Sequence, residues 1–203
     1  MQHEGVPASL TLEAARDWIR PRLTDKRYNH SCGVGEVASE IAKHSGACDC
    51  WLAELGGILH DCCKEIKDRE LVTMAQGFGL PLDPILETHG HLLHAPVGAE
   101  VAKRELKINN PELYDAIAEH TLGNVPMSGL SKVLFLADCL EESRPKNYTA
   151  PIWKALDLKG ECNLERAIVV ATEAGFTFLI EDGKPIHPRS VEVRNYYLHA
   201  PGH

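Results

Sequence analysis

Apolar residues recur with a helical period along almost the whole chain, separated by short clusters of glycine, proline and charged residues. Thr11 caps a first predicted helix that keeps Leu12, Ala15, Ile19 and Leu23 near one face and stops between Pro21 and Thr24. A second runs from about Arg27 to His44, with Val34, Val37, Ala38 and Ile41 at helical spacing, and Gly46 ends it. The third starts near Asp49 and carries Leu52, Leu55, Ile58 and Leu59 into the dipeptide His60-Asp61. It is apolar on most sides, which marks it as a buried central helix.

Further along, Asp68 caps a predicted helix through Met74, broken by Gly77-Phe-Gly79 and Leu80-Pro81. His94 to Lys107 reads as a helix with Pro96 in its first turn, and Pro111 opens another that holds Leu113, Ile117 and His120. The run KVLFLADCL, within Leu130 to Leu140, is too short for its period to separate helix from strand, and its neighbours favour helix. The pattern weakens from Asn147 to Glu161. It resumes from Leu164 to Ile180, turns at Asp182-Gly183, and ends with a helix over Pro188 to His199. The expectation is an all-α protein, a helical domain over residues 10–150 with a helical extension over 151–203 packed on it.

Composition narrows the setting. A chain of 203 residues suits one domain with an appendage, and 44% apolar with 25% charged residues is ordinary for a soluble protein. No apolar stretch has the length to span a bilayer, and MQHEGVPASLTLEAARDW lacks the basic and apolar regions of an export signal. Seven irregularly spaced cysteines then read as reduced thiols in the cytoplasm. A net charge of −8 argues against a nucleic-acid partner, though not against a phosphorylated substrate whose charge bound metal ions would balance. The apolar run AIVVATEAGFTFLI reads as core or as an interface, so a homodimer is one expected assembly.

Histidine is the outlier, with eleven copies. His60 and Asp61 close a buried helix, where an aspartate is costly unless paired or metal-bound, and Asp138 has the same problem inside FLADCL. With His30, His94 and His120 they form a set of imidazoles and carboxylates without thiolate, which suits first-row divalent ions such as iron, manganese, nickel or zinc. The expected arrangement is two ions, the first held by His30, His60, Asp61 and Asp138, with Asp61 bridging to a second held by His94 and His120. His89 and His91 lie on a glycine-containing loop and read as solvent-exposed or substrate-facing; His94 is preferred because it opens a helix. His3, His44, His187, His199 and His203 read as surface or terminal residues. Cys48-x-Cys50 and Cys62-Cys63 do not have the spacing of a structural zinc site, and the latter pair reads as packing beside the centre.

The segments KRYNH (26–30), GGILHDCCK (56–64), LLHAPVGA (92–99), EHTLGNVPMSGLSKVLFLAD (119–138) and LEESR (140–144) resemble the HD-domain metal-dependent phosphohydrolases. More narrowly, they resemble the YqeK-type bacterial symmetrical diadenosine tetraphosphate hydrolases. The resemblance covers about residues 10–150, and HT-x-G-x-x-x-MS-x-L-x-K is its most specific stretch. Two positions depart from the family pattern: Ala95 stands where glycine is expected, and Glu142 where proline is usual.

The resemblance implies a di-iron centre, with cobalt, manganese, nickel or zinc as other metals, on His30, His60, Asp61, His94, His120 and Asp138. It implies cleavage of a dinucleoside polyphosphate in the middle, to two ADP, by attack of a metal-bridging hydroxide on a central phosphorus. Lys64 and Arg27, one turn from His60 and His30, are the expected cations beside the leaving phosphate. His89, Thr121, Ser128, Lys132 and Arg144 are the expected substrate contacts. The chain has neither a G-x-x-x-x-G-K-[ST] loop nor a G-x-G-x-x-G fingerprint, so phosphate recognition is expected to be metal-centred. Two other readings stay open: a phosphohydrolase of the same superfamily acting on a mononucleotide or cyclic nucleotide, and a non-catalytic nucleotide sensor.

Overall fold

A computed structural model of the chain describes residues 3–199, and every regular element among them is helical. The bundle is organised on two helices that are apolar on nearly every side. In α3 (Cys50–Leu59), Leu52, Ala53, Leu55, Ile58 and Leu59 are buried, and the Asp49 side chain caps it by accepting from the Leu52 amide at 2.9 Å. In α8 (Gly129–Leu140), Leu130, Val133, Leu134, Leu136 and Ala137 are buried, and Ser128 Oγ accepts from the Ser131 amide at 3.1 Å. The cap and the surrounding helices settle the helix-or-strand ambiguity of KVLFLADCL.

Further helices surround this pair. α2 (Asp25–Ser45) and α7 (Pro111–Glu119) pack on both, α1 (Leu12–Ile19) packs on α3, and α6 (His94–Leu106) packs on α7. At the crossing of α2 with α3 the backbones touch: a Cβ on Gly57 would stand 2.4 Å from the Gly35 Cα. That contact fixes how far His30, on α2, stands from His60, one residue beyond α3.

Elements with weak apolar stripes depart from the sequence expectation. α2 starts at Asp25 because Thr24 caps it. α4 (Asp68–Phe78) has Lys67, not Asp68, at the cap position, and runs past Met74 until Gly79, whose φ of 73° closes it. Residues read as a loop before His94 hold a short α5 (Pro84–Thr88), capped by Asp83, and a 3₁₀ turn over Gly90–Leu93. α9 (Lys146–Leu156) occupies the stretch where the pattern fades, and it crosses residue 150, where the extension was expected to begin.

The remainder of the extension forms α10 (Leu164–Glu181), packed on α8 and α9, and α11 (Pro188–Leu198), packed on α10. Tyr197 ties α11 to the bundle by accepting the Met127 amide at 2.8 Å. His187 is buried, not a surface residue, with its Nε2 2.8 Å from Asp83 Oδ2. His3 stacks on Trp51, with centroids 4.3 Å apart. His44 and His199 are exposed, and His203 lies outside the described residues. All seven cysteines are free, and among the described residues no helix is long and apolar enough to cross a membrane.

Candidate metal centre

A helix leaves the carbonyls of its last turn without amide partners, and the centre uses those carbonyls. His60 follows α3, and its Nδ1 lies 2.6 Å from Gly57 O. His120 follows α7, and its Nδ1 lies 2.8 Å from Ile117 O. His94 follows the 3₁₀ turn and bonds His91 O through Nδ1. Each imidazole therefore donates Nδ1–H to the carbonyl three residues before it, which fixes the tautomer and turns the Nε2 lone pair inward. His30 lies within α2, where the backbone carbonyls are used by the helix, and the Glu141 carboxylate takes its Nδ1 at 2.7 Å instead.

The inward atoms meet two aspartates. His30 Nε2 lies 3.0 Å from Asp138 Oδ1, and His60 Nε2 lies 4.0 Å from the same oxygen. Asp61 turns Oδ2 toward His60 Nε2 at 3.6 Å and Oδ1 toward His94 Nε2 at 3.1 Å and His120 Nε2 at 3.6 Å. One donor atom each from His30, His60 and Asp138 lie within 4.8 Å of one another, as do those of His60, Asp61 and His120. The two groups share His60, and Asp61 faces both.

Three features fit this donor set to divalent cations. His60 Nε2 and Asp61 Oδ1 are buried with no hydrogen-bond partner, the nearby His94 nitrogen not meeting hydrogen-bond geometry with that oxygen. The Nε2 atoms of His94 and His120, both lone-pair acceptors in their fixed tautomers, face each other at 3.1 Å, which a shared cation stabilises. The set is imidazole and carboxylate with no thiolate, as hard-to-borderline first-row metals prefer.

Burial pushes the His60 and His94 pKa values down to about 4, against the pull of nearby carboxylates, so both rings are neutral and ready to ligate at neutral pH. His30 goes the other way: burial disfavours its charge, but Asp138 and Glu141, one at each ring nitrogen, outweigh that and raise its pKa. Burial also opposes charge on Asp61 and Asp138. The surrounding histidines, with Lys64 beside Asp61 and Arg144 beside Asp138, hold both carboxyls well below their usual range. With His60 and His94 neutral, the standing positive charges near Asp61 at neutral pH are Lys64 and Arg27.

Lys64 Nζ lies 3.0 Å from His94 Nε2 and 3.7 Å from Asp61 Oδ1. It arrives by a different route from the one expected: α3 ends at Leu59, and Lys64 is carried in by the turn that follows, where its amide bonds Asp61 O. Arg27 is on α2 as expected, with Nη1 3.4 Å from Asp61 Oδ2. Thr121 Oγ1 lies 3.1 Å from Nε2 of both His94 and His120, and Arg144 grips Asp138 through Nη2 to the carboxylate and Nε to the backbone oxygen. The other three expected contacts are engaged elsewhere. Ser128 caps α8, Lys132 pairs with Glu165, and His89 Nδ1 sits 3.0 Å from Thr88 Oγ1; none bonds a candidate ligand. Glu141 was not expected, although a buried carboxylate one residue past the apolar run ending at Leu140 gives the same signal that singled out Asp138. Cys62 and Cys63 are buried beside Asp61, with Cys62 Sγ 3.6 Å from Gly98 O.

The HD domain family matches residues 27–143, which contain all six candidate ligands and Glu141. A symmetrical bis(5'-nucleosyl)-tetraphosphatase of Halalkalibacterium halodurans is 35% identical over 180 residues, 89% of this chain and 93% of the relative. A protein of the same description from Bacillus subtilis is 30% identical over 92% of this chain and 97% of its own length. Among solved structures, a predicted HD superfamily hydrolase involved in NAD metabolism, from Clostridium acetobutylicum, superposes with a TM-score of 0.86 at 28% identity, covering 93% of this chain and 97% of that one. The chain belongs to the HD-domain family, with symmetrical bis(5'-nucleosyl)-tetraphosphatases as its full-length relatives.

Proposed function

We propose that the protein hydrolyses diadenosine tetraphosphate symmetrically to two ADP, using divalent metal ions held by His30, His60, Asp61, His94, His120 and Asp138. The observation that carries this is the convergence of four imidazole Nε2 atoms on the buried Asp61 and the partly buried Asp138, with His60 Nε2 and Asp61 Oδ1 left without partners. Iron is the metal we assign, on the resemblance to di-iron relatives; the donors alone suit several first-row ions. Seven free thiols suit a reducing compartment, and we place the protein in the cytoplasm.

Bound divalent ions would polarise phosphate oxygens and bring the ionisation of water toward neutral pH. The chain's own groups do the rest. The Nδ1 tethers hold the imidazoles rigid, so no ligand has to reorient as charge develops. Asp61, with Oδ2 toward His60 and Oδ1 toward His94 and His120, is the carboxylate that would be shared between the ions. Lys64 and Arg27, both half-buried beside Asp61, are the cations that would take up charge growing on the departing ADP phosphate. Thr121 Oγ1 is placed to donate to a phosphate oxygen at the His94–His120 side.

The test is anaerobic incubation of metal-loaded protein with diadenosine tetraphosphate, with products resolved by chromatography alongside metal analysis. ADP as sole product with about two metals per chain is the expected result. ATP plus AMP would mean attack at the wrong phosphorus. Metal-loaded protein with no turnover would move the assignment to a mononucleotide or cyclic nucleotide.

A further inference from the structure

Symmetrical cleavage puts the metals at the centre of the tetraphosphate, so each nucleoside must be held to one side, two phosphates away. A cleft of about 690 Å³ is lined in part by Arg144 and Glu141, the residues that bond Asp138 and His30 of the centre. Its volume lies in the range of small-molecule sites, about 300–1,000 Å³. The cavity beside Thr121, at the other edge of the centre, measures only about 50 Å³.

One wall of the large cleft is a face of α9. Lys146, Thr149 and Trp153 fall at helical spacing along it, and Val37 and Glu40 of α2 stand opposite. Trp153 differs from the other two tryptophans. Trp18 carries Arg22 at 4.0 Å and Trp51 stacks on His3, whereas the half-buried Trp153 ring has neither an aromatic nor a cationic partner among the described residues. Lys146 makes no ion pair among them either. The cleft thus brings together the cations Arg144 and Lys146, the indole of Trp153, and the carboxylates of Glu40 and Glu142.

We propose that this cleft seats one nucleoside of the substrate, its base stacked on Trp153, with Lys146 and Arg144 taking the phosphates that lead to the metals. Ribose hydroxyls donate to Glu40 or to Glu142, which also lines the cleft. The proposal rests on the tetraphosphatase reading and adds a residue that determines how tightly the dinucleotide is held. Trp153 is remote from the reacting bond, so it contributes to binding of ground state and transition state alike and its loss appears in KM.

The experiment compares steady-state kinetics of metal-loaded wild type, Trp153→Ala and Trp153→Phe on diadenosine tetraphosphate. Removing a stacking platform should raise KM about five- to a hundredfold with kcat within about twofold, and phenylalanine should restore most of the loss. A wild-type KM in Trp153→Ala would overturn the seat while leaving the tetraphosphatase reading intact. A second measurement does not need turnover or the alanine variant. In a Trp18→Phe/Trp51→Phe background, Trp153 is the sole emitter, and ADP added to the metal-loaded protein should quench it saturably. No change in emission up to millimolar ADP would overturn the seat. Failure of the wild type to cleave the tetraphosphate would instead remove the tetraphosphatase reading, and ADP quenching would then still decide whether the cleft takes a nucleotide.

Discussion

Gly57→Ala adds one methyl group at the tightest contact of the bundle. The new Cβ would stand 2.4 Å from the Gly35 Cα, 2.5 Å from its nitrogen and 2.8 Å from the Val34 carbonyl carbon, where ordinary contact begins at 3.4 Å. All three neighbours are backbone, so relief requires α2 and α3 to separate by about 1 Å. Overpacking of this kind costs about 1–3 kcal/mol, and with no flexible side chain to yield, the upper end applies. Alanine returns about 0.5–1 kcal/mol through its better helix propensity. The net loss of about 2 kcal/mol should lower the melting temperature of the metal-free protein by about 4–8 °C. Gly77→Ala is the internal control: it is also within a helix, but exposed, with nothing within 4 Å of its would-be Cβ. It should stabilise by about 0.5–1 kcal/mol. Thermal unfolding of both variants, without metal, gives opposite signs for one chemical change. Metal titration should show weaker binding only in Gly57→Ala, because Gly57 O holds His60 Nδ1. A melting temperature at or above that of the wild type for Gly57→Ala would refute the packing argument.

Asp61→Ala should abolish tetraphosphate hydrolysis and lower metal content while leaving far-ultraviolet circular dichroism nearly unchanged; wild-type turnover would exclude a bridging role. Glu141→Gln keeps an acceptor for His30 Nδ1 but removes the charge, and should weaken metal affinity or activity about 10- to 100-fold, with Glu141→Ala worse, as measured by metal-competition titration. The Asp83 carboxyl is held below its usual range: partial burial opposes this, but the Leu86 and Ile85 amides and the His187 imidazole outweigh it. A carboxylate with a lowered folded pKa stabilises fully at neutral pH and loses that contribution as pH falls through the acidic range. Asp83→Asn should therefore flatten the acid limb of urea-unfolding midpoints measured from pH 7 to about pH 3; an unchanged slope would show that the Asp83–His187 clip adds no pH-dependent stability.

How legible each helix was in the sequence follows from how it buries. α3 and α10 carry long apolar runs, and their position follows from the period alone. α9 buries Thr149, Ile152, Ala155 and Leu156, a set at helical spacing but with only two large apolar members, and it holds Pro151. Weak burial and a helix breaker hide it from a reading based on hydrophobic period, yet its exposed side supplies Trp153 and Lys146 to the cleft. α5 is a single turn capped by Asp83, too short for any period to register. His187 misleads for a similar reason: near the end of a chain, after Lys184 and Pro185, nothing local signals that Asp83 will cover it.

The candidate ligands were legible because a carboxylate beside an apolar helix needs a reason to be there, but that rule does not say what orients a histidine. The structure supplies the missing step. An imidazole just past a helix end has a free carbonyl three residues back, and His60 and His120 use theirs; His94 bonds His91 O, which also takes the His94 amide. A histidine inside a helix finds those carbonyls already taking helix amides and can only share one, as His44 Nδ1 shares Glu40 O at 2.9 Å. His30 is the one candidate histidine in mid-helix, and a side-chain acceptor serves its Nδ1. Asp138 faces Nε2, and Glu141, buried one residue past the apolar run that ends at Leu140, accepts at Nδ1. The charge of Glu141 does what a carbonyl would not: with Asp138 it raises the His30 pKa against burial, whereas His60 and His94, tethered to carbonyls, fall to about 4.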